Sequence, residues 1–175
     1  SPFGGLQGAE LRAALKQSAA GHICLGYDRA RELLFSQLHN EAGVVTDVYT
    51  DRDLFTSTIP NHEGDMGVNT EHTFPKSKGV KGTPAESDLH HLFPTDSDAN
   101  SKRSSYPFGV VETLQWSEMG AKLGLDARGE LVFEPPDAHK GNVARALFYV
   151  STAYDLELDG AQMEVLRAWN QLDPP

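Results

Sequence analysis

Apolar side chains recur at three- and four-residue intervals in four stretches of the chain, the spacing that lines up one face of a helix. The first, Ala9 to Ala20, carries Leu11, Ala14 and Leu15 and stops at Gly21. The second runs from Asp28, a residue type suited to capping, to His39, with Ala30, Leu33, Leu34 and Leu38 on the repeat and Asn40 and Gly43 beyond it. Asp137 to about Tyr154 sets Val143, Ala144, Leu147, Phe148 and Val150 on one face, with Asp137 as the predicted cap and Arg145 off that face. Asp159 to Leu172 puts Met163, Leu166, Trp169 and Asn170 on one side of a last helix.

Between these stretches the pattern shortens to strand-like runs. Val44 to Thr50 is rich in β-branched and aromatic residues and predicts a strand. Asp51 to Gly67, punctuated by Pro60, Asn61, Gly64, Asp65 and Gly67, predicts a surface loop with His62 exposed; its acids Asp51, Asp53, Glu63 and Asp65 lack the spacing of a twelve-residue calcium loop. Val68 to Phe74 predicts a strand stopped by Pro75, and Asp88 to Phe93 a second one, turned by Pro94, Thr95 and Asp96. Ser97 or Asp98 then caps a short helix through Asn100 to Ser104. Tyr106 to Gly109 reads as a turn with aromatic anchors, and Val110 to Trp116 and Leu131 to Phe133 as strands. The expected fold is therefore α+β, one mixed domain over residues 1–175, with a hairpin and helix at about 68–106.

Composition narrows the class. With 175 residues and 39% apolar content the chain suits one domain with a sizeable core. No run of 18 apolar residues and no basic, apolar leader occurs, so neither a membrane span nor an uncleaved signal peptide is expected. Cys24, the single cysteine, excludes an intramolecular disulfide and reads as a buried, inert thiol. A net charge of −10 argues against a protein that coats nucleic acid by bulk electrostatics. The basic residues nevertheless gather in the centre: Lys76, Lys78 and Lys81 fall in a stretch without acids, and Lys102 and Arg103 follow the Asp-rich turn.

The same central stretch carries the chemistry. Cutting a phosphodiester requires an activated water, a cation on the phosphate oxygens and neutralisation of the leaving oxygen. His72 suits the general base, because imidazole is partly neutral near pH 7. Glu71 and Asn100 offer hard oxygens for one Mg²⁺, a site that Mn²⁺ or Ca²⁺ would also fit. Strand alternation sends Glu71 and His72 to opposite faces, so both meet one phosphate only where the strand twists or ends. Zinc held by His72 with His90 and His91 is the competing reading, without a third and fourth ligand at zinc spacing. Of the adjacent pair, one histidine is expected buried and the other exposed. His22, His39 and His139 read as ordinary residues.

Taken in order, NTEHTFPKS, DLHHLFPTDSDANSKRSSYPFG, FEPPDAHKGNVARALFYV and AWNQLDPP resemble the bacterial endonuclease I family of secreted and periplasmic nucleases. The resemblance covers roughly Tyr27 to Pro175, including YDRARELLFSQL and VVTDVYT. It implies a ββα-metal (His-Me finger) core and cleavage of DNA, often RNA too, with little sequence preference and 5′-phosphate products. It further implies His72 as general base, Glu71 and Asn100 as ligands of Mg²⁺, contact with the nucleic acid through its phosphates, and a monomer acting outside the cytoplasm. Asp88, His90 and Arg103 fall on recurrent family positions, as support of the hairpin or phosphate contacts, while Glu134 and Arg145 match segments that knit the last helix to the site. The chain departs from the family in the loop between the hairpin strands, which is short, bears lysines and lacks both cysteines and the arginine expected on the cleaved phosphate. Lys76, Lys78 or Lys81 takes that place. Relatives also tend to continue past the position of Pro175 with an Asn-Arg-Asn-Pro-like tail. A catalytically silent nucleic-acid-binding module on the same fold is the alternative from another class.

Overall fold

The computed structural model describes residues 3–21, 23–55 and 67–175. Among these residues five α-helices and seven strands follow in the order α1 (Gly8–Ala19), α2 (Tyr27–Leu33), β1 (Val44–Thr46), β2 (Asp53–Phe55), β3 (Val68–His72), β4 (Leu92–Asp96), α3 (Ser97–Arg103), β5 (Thr113–Glu118), β6 (Ala121–Leu125), β7 (Leu131–Glu134), α4 (Asp137–Tyr154) and α5 (Gly160–Leu172). The strands form three small antiparallel sheets, β1-β2, β3-β4 and β5-β6-β7. This is the α+β class that the alternation of helical and strand periods predicts.

Two apolar clusters hold the chain together. The larger gathers Tyr49, Phe74, Phe108, Phe133 and Trp169 with Val143, Leu147, Val150 and Leu166, so that α4 and α5 pack on β7. The smaller joins Ala30, Leu34 and Phe35 to Val45, Val68 and Leu92. Val68 and Leu92 anchor the β3-β4 hairpin in the smaller cluster, and Ala99 of α3 lies in the larger. The hairpin and α3 thus bridge the two, which fixes the central stretch from both sides. Gly141 permits the tightest approach: a Cβ there would stand 1.8 Å from the Asp173 carbonyl oxygen. Its amide donates to the Asp173 carboxylate at 2.9 Å, closing α4 against the end of α5.

Several element boundaries differ from those expected, each for a local reason. The first strand ends at Thr46, because the Asp47 carboxylate accepts the Tyr49 amide at 3.0 Å and the Thr50 amide at 3.1 Å and so curls Asp47–Thr50 into a turn. The second strand of the hairpin is β4, not Asp88 to Phe93. Asp88 accepts the His90 amide at 3.0 Å and bends Leu89–His91 into a 3₁₀ turn, which delays the strand to Leu92. Pro94 then lies inside β4 opposite Thr70, tolerated because the sheet has two strands and both are edges. Asp96 caps α3, accepting the Asp98 and Ala99 amides at 2.8 and 3.1 Å, in place of Ser97 or Asp98.

The second predicted helix begins at Tyr27 after Gly26 and passes at Leu34–Leu38 into a π-helical turn. Asp137 opens α4 without capping it, whereas Asp159 caps α5. The predicted strand from Val110 starts only at Thr113, and β6 was not expected at all. Met119 and Gly120, at φ of 45° and 96°, form the tight β5-β6 connection. Part of the predicted loop after Asp51 is strand β2. The expectations for His22, His62, Glu63 and Asp65 lie outside the described residues. Cys24, expected to be buried, is exposed beside Ile23, its Sγ 3.6 Å from the Ser87 hydroxyl. No helix among the described residues is long and apolar enough to cross a membrane.

Candidate active site

Glu71 and His72 close strand β3, and strand alternation gives them separate neighbours. Glu71 is 2% exposed. Its Oε1 accepts from the Tyr49 hydroxyl at 2.8 Å and from Arg103 Nε at 3.0 Å. Both bonds fall on one oxygen. Among the described residues Oε2 accepts no hydrogen bond, so one lone-pair-bearing oxygen of a buried carboxylate stays available. The Asp47 turn is what aims Tyr49 at this carboxylate. Burial, and next the neighbouring Glu71 charge, push the Tyr49 hydroxyl well above the usual tyrosine range, so it remains a proton donor.

His72 faces the turn that precedes β4. Its Nε2 lies 3.0 Å from the Glu86 carbonyl oxygen, which only accepts, so Nε2 carries the hydrogen and the basic lone pair belongs to Nδ1. The imidazole stands between two rings, Tyr27 at 5.4 Å and His91 at 5.6 Å between centroids. His91 is fully buried and donates from Nε2 to the Ala85 carbonyl at 2.7 Å. Burial lowers its pKa and keeps it neutral beside His72.

Asn100 lies half-buried in α3, and its side-chain amide makes no hydrogen bond among the described residues. Arg103, expected on the substrate, is instead 1% exposed and has its donors spent inside the fold. Besides Glu71 it bonds the carbonyls of Ser104 at 3.0 Å, Tyr106 at 2.7 Å and Thr73 at 3.0 Å, and its guanidinium covers the Phe108 ring at 4.2 Å. It therefore orients the carboxylate and ties β3 to the end of α3. Lys78, Lys81 and Lys102 are exposed, while Lys76 is half-buried with Nζ 5.2 Å from the Tyr27 ring centre.

Asp88 supports the turn beneath His72. One oxygen takes the His90 amide and His90 Nδ1, at 3.0 and 2.7 Å; the other takes the hydroxyls of Tyr149 and Tyr154 on α4, at 2.8 and 2.6 Å. His90 itself is exposed and stacks on Tyr149 at 4.5 Å. Burial alone would raise the Asp88 pKa; the Tyr154 hydroxyl, then the His90 and Tyr149 bonds, outweigh it and hold the carboxyl below its usual range. A lowered folded-state pKa means that the unfolded chain binds this proton more readily. The stabilisation is complete above the unfolded value of about 3.9 and is lost as pH falls through the folded value. Urea unfolding between about pH 3 and 6 is expected to show a smaller loss of stability on acidification in Asp88→Asn than in wild type, from a lower starting point.

Glu134 and Arg145 make no bond to the hairpin among the described residues. Glu134 accepts from Lys140 at 2.7 Å and from the Val111 amide at 3.0 Å, tying β7 to α4. Arg145 bonds Asn142 at 2.8 Å and the Asp173 carbonyl at 2.7 Å, clasping α4 to the end of α5. His139, read as ordinary, is buried between Tyr49 and Phe93, and desolvation drives its pKa down to about 3. Among the described residues no three His, Cys, Asp or Glu side chains converge as a metal cluster would require. Tyr49 and Tyr27 carried no sequence signal for their places, since each reaches the site through a turn or helix start distant in sequence.

The family model described as endonuclease I matches residues 9–174. The chain belongs to the endonuclease I family. Curated relatives within reach of it include extracellular ribonucleases of Bacillus amyloliquefaciens and Bacillus subtilis (strain 168), 32% and 30% identical over 97% of the chain. The chain spans 64% of the length of each of these two relatives. A periplasmic deoxyribonuclease of Aeromonas hydrophila is 28% identical over 55% of the chain and 41% of its own length.

Proposed function

We propose that this endonuclease I family chain is a metal-dependent endonuclease that hydrolyses phosphodiester bonds of DNA and RNA with little regard to sequence. One observation carries the reading: a buried carboxylate with one oxygen outside any hydrogen bond stands next in sequence to an imidazole whose Nε2–H is fixed by a backbone carbonyl. The names of its relatives, ribonucleases and deoxyribonucleases placed outside the cell or in the periplasm, support the substrate class and an extracytoplasmic setting.

Glu71 Oε2 and the Asn100 amide oxygen suit a hard divalent cation, being oxygen donors that no hydrogen bond within the described residues occupies. A Mg²⁺ held there, or Mn²⁺ or Ca²⁺ in its place, would supply positive charge to the phosphate oxygens and the leaving 3′ oxygen. The chain's own residues do the rest. His72 Nδ1 takes the proton of the attacking water while Glu86 holds the ring in the tautomer that leaves this nitrogen basic. Arg103 and Tyr49 hold Glu71 Oε1 in place and so aim the carboxylate. The phosphate would lie at the end of β3, met by the carboxylate from one face and the imidazole from the other. Lys76, beside His72 through Tyr27, is the cation placed to meet it, with Lys78, Lys81 and Lys102 lengthening a basic track for neighbouring phosphates.

Supercoiled plasmid incubated with the purified chain is expected to be nicked and then degraded to 5′-phosphate fragments in Mg²⁺, and to stay intact in EDTA. Binding of DNA without metal-dependent nicking would replace this reading by the silent binding module.

A further inference from the structure

Tyr27 opens α2, and its ring lies against both His72 and Lys76. Its ring centre is 5.4 Å from that of His72, with 40° between the planes. Lys76 Nζ lies 5.2 Å from the same ring centre, and the Arg31 guanidinium, one helical turn further along α2, lies 5.8 Å from it. Such distances are those at which an ammonium or guanidinium is drawn to an aromatic face. Lys76 follows Pro75 directly and starts a 3₁₀ turn at Lys76–Lys78, so its backbone direction is set only four residues after His72. The constraints on the imidazole include the Glu86 carbonyl on Nε2, the His91 ring and the Tyr27 ring. Tyr27 also lies against cations. α2 is in turn pinned by Ala30, and the π-helical turn that continues it by Leu34, in the smaller apolar cluster, which shares Val68 and Leu92 with the hairpin, so the wall and the strand it faces belong to one packed unit.

We propose, on the nuclease reading above, that Tyr27 is a positioning residue: its ring is a shared wall that sets the His72 imidazole and the Lys76 ammonium relative to one another, so that base and phosphate-binding cation reach one scissile phosphate together. The contacts with His72 and Lys76 are made by the ring. Misplacing a reacting group by about 1 Å is enough to cost on the order of 10²-fold in rate. A residue that only stabilised the fold would lower the amount of active protein without separating kcat from KM.

The test is steady-state cleavage of an oligonucleotide in Mg²⁺ by wild type, Tyr27→Phe, Tyr27→Leu, Tyr27→Ala, Lys76→Ala and the Tyr27→Ala/Lys76→Ala double variant. Tyr27→Phe should stay within about twofold of wild type, and Tyr27→Ala should lose about 10- to 100-fold in kcat with a raised KM. In the Lys76→Ala background the same truncation should still lower kcat but no longer raise KM, a coupling that the double-mutant cycle reads directly. Tyr27→Leu, which keeps apolar volume, carries the comparison if Tyr27→Ala does not fold, and should show the same kcat loss to a smaller degree. The proposal is overturned if truncation leaves kcat unchanged, if Tyr27→Phe is as impaired as Tyr27→Ala, or if the KM effects of Tyr27 and Lys76 simply multiply. A wild-type chain inactive in Mg²⁺ removes the nuclease reading itself, before any variant is compared.

Discussion

His72→Ala is expected to cut DNA and RNA about 10²- to 10⁴-fold more slowly than wild type, the range that a positioned general base contributes. The loss should fall on kcat, because the imidazole acts on the water and not on substrate binding. Among the described residues neither neighbouring histidine replaces it. His91 is sealed in the core with its Nε2–H spent on Ala85, and burial holds it neutral, while His90 is exposed and bound to Asp88. The variant should stay folded, since a single truncation of this kind costs about 1–3 kcal/mol against a typical domain stability of about 5–15. Circular dichroism and cleavage rates measured on one preparation check both halves. Cleavage within about threefold of wild type would remove His72 as the base.

Arg103→Met is expected to give the largest loss of stability, about 3–5 kcal/mol, because removing one partner of a buried ion pair strands the other charge. Glu71 would keep only the Tyr49 hydroxyl, and the carbonyls of Thr73, Ser104 and Tyr106 would lose their donor. Arg103→Lys should recover little of this, since a single ammonium cannot reproduce the planar fork. Urea denaturation at neutral pH measures it. Near-wild-type stability combined with a raised KM and a weaker salt dependence would instead return Arg103 to the phosphate-binding role that the sequence suggested.

The four amphipathic helices were legible because a repeat of three to four residues needs only local information, whereas their caps were not: neither Asp28 nor Asp137 caps its helix, and Asp96 caps α3 in place of Ser97 or Asp98. The hairpin was legible in kind but displaced in register. Asp88, whose carboxylate is satisfied by the His90 amide and two tyrosines from a helix some sixty residues away, curls the chain and delays β4 to Leu92. No periodicity reports such a bond. Cys24 went the same way: its apolar neighbours suggested burial, but of that run it is Leu25 that packs on the smaller apolar cluster, while Cys24 is exposed and Ile23 is left 81% exposed. At the site, residue type alone nominated Glu71, His72 and Asn100. It could not separate Arg103 from the lysines, because a basic residue beside a candidate phosphate site looks the same whether its donors face solvent or a buried carboxylate. The contacts decide it, and they also bring in Tyr49 and Tyr27 from distant parts of the chain.

The central claim is that Glu71 and Asn100 hold the metal while His72 acts beside it without binding it. Equilibrium titration of Mn²⁺, followed by its electron paramagnetic resonance signal, tests that division directly in wild type, Glu71→Gln, Asn100→Ala and His72→Ala. The account predicts one site in wild type, weakened by about 10-fold or more in Glu71→Gln and Asn100→Ala and kept in the inactive His72→Ala. Unchanged affinity in Glu71→Gln, or loss of the site in His72→Ala with the fold intact, would contradict it.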